Sequence, residues 1–128
     1  MAAPAVELPT AVMAELQRAQ QLRQQSQALG QRLAELRLEL FEHDRVIAVL
    51  KETQGDRTCY RLVGDVLVER KVGDVLPDLE ATRAQLASTI ESGSAQRATL
   101  EQEALKLMQP HAGVLEELGR QDMLQQQA

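Results

Sequence analysis

The sequence predicts a mainly α fold: a long antiparallel two-helix coiled coil with a single β-hairpin at the bend. Three observations predict it. Apolar residues recur in alternating steps of three and four from about Val12 to Leu50. The same spacing returns from about Leu76 to Val114. Between the two stretches the period drops to two over Cys59-Tyr-Arg-Leu-Val-Gly-Asp-Val-Leu-Val-Glu-Arg70. Two helical stretches of matching length around a short β segment can bury their apolar stripes by folding back on each other.

In chain order, the elements form one domain over 1–128. Residues 1–9 hold two prolines and no periodicity, so they read as an N-terminal tail. Thr10 is the expected N-cap of a first helix over 10–54. Its seam runs Val12, Glu15, Ala19, Leu22, Ser26, Leu29, Leu33, Leu36, Leu40, His43, Ile47, Leu50. A helix of that length spans about 60 Å. It needs a partner along its length, because propensity alone does not hold a helix in water. Lys51 suits the negative end of the helix dipole, and Gly55 is the expected residue just past the C-cap.

A turn over 55–57 leads to a hairpin over 58–71. Gly64-Asp65 suits a two-residue type II′ turn. That turn places Val63 opposite Val66, Leu62 opposite Leu67, Arg61 opposite Val68 and Tyr60 opposite Glu69. Leu62 and Leu67 then share one face, and Val63, Val66 and Val68 share the other. An isolated two-stranded hairpin is marginal in water, so these apolar faces call for other subunits.

The second helix is expected over 74–109, with Asp74 as N-cap and Pro77 in the first turn. Asp78 and Glu80 suit the positive end of its dipole. Its seam runs Leu76, Leu79, Arg83, Leu86, Ile90, Gly93, Arg97, Leu100, Ala104, Leu107, His111, Val114, Leu118. Gly93 at mid-helix costs about 1 kcal/mol relative to Ala. Pro110 should end or kink the helix near Gln109. Gly113 and Gly119 weaken any helix beyond it, so 110–128 reads as a distal tail, partly helical and frayed. The far ends of the two seams are the poorest part of the pattern. Weak pairing there leaves apolar side chains partly exposed, as binding surfaces do.

Composition narrows the function. Hydrophobic residues make up 44% of the 128, but aromatics only 2%, namely Phe41 and Tyr60. A large compact core draws on several aromatics, so a narrow Leu, Val and Ala seam fits better. The net charge of −5 argues against nucleic acid, which demands a basic face, and against an anionic membrane surface. With one cysteine, Cys59, no intrachain disulfide can form, as suits a reducing compartment. No apolar run reaches the length of a membrane span, and no secretory leader is visible after Met1. The expected location is cytoplasmic.

Catalytic motifs are missing. There is no phosphate loop, dinucleotide fingerprint, zinc-type Cys/His spacing or nucleophile elbow. His43 and His111 lie far apart and read as tolerated polar seam positions rather than metal ligands. Arg57 and Arg61 flank Cys59 closely enough to activate a thiol, but no second cysteine or ordered base accompanies it. The pairs Glu116-Glu117 and Glu101 with Glu103 read as solvated helix faces, and Gln17 to Gln31 as a polar face rich in Gln. A general acid or base needs a pocket, and paired helices offer none. No catalytic, cofactor-binding or metal residue is assigned, and no cofactor is expected.

Three segments are similar to a known family: Glu39-Leu-Phe-Glu-His-Asp-Arg-Val-Ile-Ala-Val-Leu-Lys-Glu52, the run from Cys59 to Arg70, and Val75-Leu-Pro-Asp-Leu-Glu80. Together they resemble β-class subunits of eukaryotic prefoldin, over roughly Leu33 to Leu86. A single hairpin agrees with the β class, since α-class subunits carry two. The resemblance implies a cytosolic heterohexamer of α- and β-class subunits whose hairpins form a barrel platform bearing coiled-coil tentacles. It implies that the tentacle tips hold unfolded polypeptides such as actin and tubulin, without ATP, and deliver them to the cytosolic group II chaperonin.

On that reading Tyr60, Leu62, Val63, Val66, Leu67 and Val68 mediate subunit assembly. Val12, Leu16, Leu107, Met108, Val114, Leu115 and Leu118 are the candidates for client contact at the tips. The alternative is a coiled-coil scaffold without chaperone activity. The heptads support it equally, but a dimerising rod has no use for a hairpin that is apolar on both faces.

Overall fold

A computed structural model describes residues 8–126. The order of elements is α1 (Thr10–Lys51), β1 (Thr58–Val63), β2 (Val66–Lys71), α2 (Val72–Met108), a 3-10 turn (Gln109–His111) and α3 (Ala112–Gln126). The expected tail lies mostly outside the described residues; of its nine positions only Leu8 and Pro9 are described, and neither is helical. Two compact units divide the chain: 30–95, and the residues on either side of it, 1–29 with 96–128.

The unit over 30–95 holds the hairpin. Its strands pair antiparallel, with Val63 opposite Val66, Leu62 opposite Leu67, Arg61 opposite Val68 and Tyr60 opposite Glu69. This is the register expected from the turn. Gly64 has φ +60°, and no non-glycine among the described residues has positive φ. That combination is what a II′ turn requires of its first central residue.

The ends of the helices differ from expectation, each for a local reason. Pro9 rather than Thr10 takes the cap position, because its carbonyl accepts the first helical bond, from the Met13 N–H, at 3.0 Å. α1 stops at Lys51, short of the expected 54. The N–H groups of Glu52 and Thr53 reach back only three residues, to the carbonyls of Val49 and Leu50, which tightens the last turn. The Thr53 hydroxyl also donates to the Val49 carbonyl, at 2.9 Å. Gly55 is therefore not the residue just past the C-cap.

Gly55 instead meets the start of α2. The Gly73 N–H donates to the Gly55 carbonyl at 2.9 Å, and the Val72 N–H to the Arg57 carbonyl at 3.0 Å. The first N–H groups of a helix have no partner within it. Here the loop before β1 supplies two acceptors, so α2 begins at Val72, directly from β2, and Asp74 sits inside the first turn rather than at the cap. Pro77 becomes the sixth helical residue, beyond the first turn, where its ring removes one helical bond. A Cβ on Gly73 would stand 3.3 Å from the Gly55 carbonyl oxygen, so the glycine at 73 lets the backbones close at this root.

Within 30–95, α1 and α2 run antiparallel. Leu33, Leu36 and Ile47 of the predicted α1 seam are buried. On α2 the predicted seam residues Leu76, Leu79, Leu86 and Ile90 are half-buried, and the buried residues are Val72 and Val75, which the predicted seam left out. Asp44 accepts from Arg83 at 2.7 Å, and Arg37 donates to the Ser94 hydroxyl at 3.0 Å. The hydrogen bond that Arg83 donates to Asp44, then the charge of that carboxylate, raises the pKa of Arg83. Gly93 has a positional reason: a Cβ there would lie 2.6 Å from Leu33 Cδ2, and Leu33 is fully buried.

In the other unit, Ala19, Leu22 and Ala104 are buried, with Ser26 as a buried polar residue. Ser26 donates to Glu101 at 3.1 Å, and its oxygen accepts from Arg97 at 3.4 Å. The polar seam position is thus satisfied, as burial demands. Pro110 breaks the regular helix as expected, but only for one 3-10 turn. Helix resumes at Ala112 and runs to Gln126 despite Gly113 and Gly119, so the frayed tail is a third helix. Half-buried Val114, Leu115 and Leu118 give α3 an apolar stripe, and such packing outweighs the propensity penalty of two glycines.

The contact between Leu33 and Gly93 sets one expectation, to be read by urea unfolding with far-UV circular dichroism. Gly93→Ala should lower the midpoint, although Ala favours a helix by about 1 kcal/mol. Leu33→Ala alone should cost roughly 2–5 kcal/mol. In that background the same Gly93→Ala change should become stabilising, a coupling that a double-mutant cycle isolates.

Candidate functional surfaces

The hairpin is the most apolar exposed feature of the unit over 30–95. Tyr60, Leu62, Val63, Val66, Leu67 and Val68 are all exposed, Val68 the least at 38% and Tyr60 the most at 67%. The strand alternation divides them between two faces, so neither face is covered by the chain itself. Leu62 and Leu67 form a cross-strand pair beside Tyr60 and Glu69, and Val63, Val66 and Val68 share the opposite face with Arg61. At the root, Lys71 Nζ donates to the Thr58 hydroxyl at 3.0 Å, and Arg70 pairs with Asp78 of α2 at 3.2 Å. These polar ties close the strand ends and leave the apolar middle unpaired.

The other unit holds all seven candidates for client contact. Val12, Leu16, Leu107, Met108, Val114, Leu115 and Leu118 are each half-buried. A seam walk selects inward positions, which is why none of the seven is fully exposed. Among the described residues of this unit the exposed large apolar side chains are Met13, Leu105, Met123 and Leu124, which sequence reasoning missed because they lie off the seam. His111 Nε2 stands 2.6 Å from a Glu15 carboxylate oxygen, which explains a carboxylate on the first seam. An open cleft of about 390 Å³ is lined by Arg23, Ser26, Gln27, Arg97, Glu101, Leu105 and Met108.

His43 directs Nδ1 to the Glu39 carbonyl at 2.8 Å, and His111 is engaged by Glu15. Glu101, read from the sequence as solvated, is tied to Ser26. Cys59 is a free, half-buried thiol. Among the described residues no three His, Cys, Asp or Glu side chains cluster as a metal site would need. No helix among them is long and apolar enough to cross a membrane.

The prefoldin subunit family profile matches residues 13–117. The chain belongs to the prefoldin subunit family. It is 51% identical to prefoldin subunit 2 of Rattus norvegicus over 75 residues, 59% of this chain and 49% of that protein. Against prefoldin subunit 2 of Homo sapiens the identity is 51% over 71 residues, 56% of this chain and 46% of that protein. The chain thus spans about half the length of the curated relatives it matches. The crystal structure of the prefoldin beta subunit from Thermococcus strain KS-1 superposes with a TM-score of 0.75, covering 85% of this chain and 96% of that one at 21% identity. At that identity the match speaks for the fold alone: this prefoldin-family chain has the β-subunit fold of two long helices and one antiparallel hairpin.

The exposure of both hairpin faces has a consequence for the isolated chain. It should self-associate with rising concentration in sedimentation velocity. Leu62→Ser with Leu67→Ser should abolish that association and leave the far-UV helical signal unchanged, because neither side chain packs on the helices.

Proposed function

We propose that this chain is one β-class subunit, acting as a single prefoldin-like domain, of a heterohexameric prefoldin complex. The complex is an ATP-independent cytoplasmic co-chaperone, with no catalytic residue and no cofactor. It holds unfolded polypeptides such as actin and tubulin at its coiled-coil tips and delivers them to the cytosolic chaperonin. The partners are α- and β-class prefoldin subunits, unfolded clients and the group II chaperonin. Neither nucleic acid nor membrane is a partner.

The observation that carries this reading is the hairpin: six apolar side chains, exposed on both faces, with a register that leaves them uncovered. Strands with such faces join other strands or lose solubility. Family membership supports a subunit role. A plain coiled-coil scaffold accounts for the helices but leaves the hairpin without purpose, and deleting 58–71 would spare a scaffold's oligomer.

Holding rather than folding is a property of the other unit. The unit holds half-buried Leu16, Leu107, Met108 and Leu118 and exposed Met13, Leu105, Met123 and Leu124. Flexible Met and Leu side chains adapt to many shapes. Several arms gripping weakly at once multiply a low affinity per site.

Assembly and holding are tested separately. Leu62→Asp with Leu67→Asp, co-expressed with the remaining subunits, should be excluded from the hexamer by native mass spectrometry while keeping its helical signal. Met13→Ser, Met123→Ser and Leu124→Ser together should leave assembly intact. They should weaken suppression of aggregation of chemically unfolded actin several-fold, measured by light scattering.

A further inference from the structure

α1 carries a second apolar stripe in the unit over 30–95. Leu38 is 61% exposed, Phe41 57%, Val46 48% and Val49 65%. Their spacing of three, five and three residues keeps them on one side of the helix. The seam residues Leu36, Leu40 and Ile47 point the opposite way, toward α2. Helices of a two-helix pair normally turn charged residues outward; Glu42 and Arg45 do lie on this side of α1, but four large apolar residues share it with them.

The chain holds one Phe and one Tyr, and neither is buried. Both lie in the unit that carries the hairpin, one on β1 and one on this stripe. Arg45 lies over the Phe41 ring, 5.8 Å from its centroid. Aromatic residues and arginine are enriched where protein partners bind. Glu42 and Arg45 border an open cleft of about 510 Å³ with Val46 and Val49 in its wall.

We infer that this outward face of α1 is a second assembly surface, on which a helix of a neighbouring prefoldin-type subunit packs. The inference rests on the proposed role of the hairpin in assembly. Area argues for the occupant. The hairpin offers six apolar side chains on twelve strand residues, whereas a stable contact takes roughly 20–30 residues and about 800 Å² from each partner. The stripe ends at Val49, two residues before α1 gives way to the loop that leads into β1. A neighbour seated on the hairpin therefore brings its own helix root alongside. That helix presents an apolar ridge flanked by an acidic group for Arg45 and a basic one for Glu42.

The test uses the complex assembled with its other subunits, and Phe41 replaced by the photo-crosslinker benzoylphenylalanine. Crosslinks to a neighbouring subunit are expected. Crosslinks confined to an added unfolded client or to a second copy of this chain would overturn the proposal. In parallel, Phe41→Ser with Val49→Ser should leave helical content unchanged, since both side chains face water in the free chain. This variant should leave the complex about tenfold faster in subunit-exchange mass spectrometry, as loss of an interface aromatic does, or be excluded altogether. Exchange at the parent rate would overturn the proposal. Leu62→Asp with Leu67→Asp separates the two readings. If that variant is excluded while the stripe variant behaves as the parent, only the stripe surface fails. If the hairpin variant incorporates normally, the assembly reading itself is wrong.

Discussion

Two helices that share one seam have one place to hide apolar side chains, and the rest of this chain answers to that limit. In each unit the buried residues are few and small: Ala, Leu, Val and Ile, with one Ser. A pair of helices cannot enclose an aromatic ring on all sides, which accounts for the scarcity of aromatics and for the exposure of the two present. The same limit leaves the hairpin without a layer to pack on. Its apolar faces are thus a direct result of an architecture with no interior beyond the seam.

The root of the hairpin shows how local and long-range demands meet. β2 passes into α2 without a connecting residue. A helix that starts this abruptly needs acceptors for its first N–H groups, and the carbonyls of Gly55 and Arg57 provide them. Gly73 has no side chain to hold the two backbones apart. These bonds tie the loop after α1 to the start of α2 and hold the strands at the junction of the two helices. The apolar faces of the hairpin are then presented from a fixed base.

Polar residues on the seam obey a consistent logic. Ser26, Arg97 and Glu101 satisfy one another, and Glu15 meets His111. Glu15, Ser26, Arg97 and His111 place polar groups where a coiled coil usually holds Leu, and each has a partner on the facing element; Glu101 lies off the seam and reaches Ser26 from its exposed side. A buried or half-buried polar group that is satisfied favours one alignment over slipped ones. Gly93 does the same by shape, since its missing Cβ makes the room that Leu33 fills. The seam therefore discriminates registers as well as holding the helices together.

The range of each interaction separates what was legible from what was not. Apart from buried Val72 and Val75, which lie where α2 starts earlier than the spacing shows, most of the two helical seams could be read from residue spacing alone, because a period near 3.5 marks the buried side of a helix wherever its partner lies. The hairpin register could be read the same way, since a two-residue turn beginning with Gly64 forces each cross-strand pair. Where α2 begins was settled only by the folded chain, because its acceptors come from residues 55 and 57. Folding also gave Gly93 and Glu15 their purpose, since their reasons stand on the facing elements. It settled, too, that α3 forms beyond Pro110 and that Met13, Met123 and the Phe41 stripe stay in water. A residue's exposure depends on what the rest of the chain fails to cover, and two helices and a hairpin cover little.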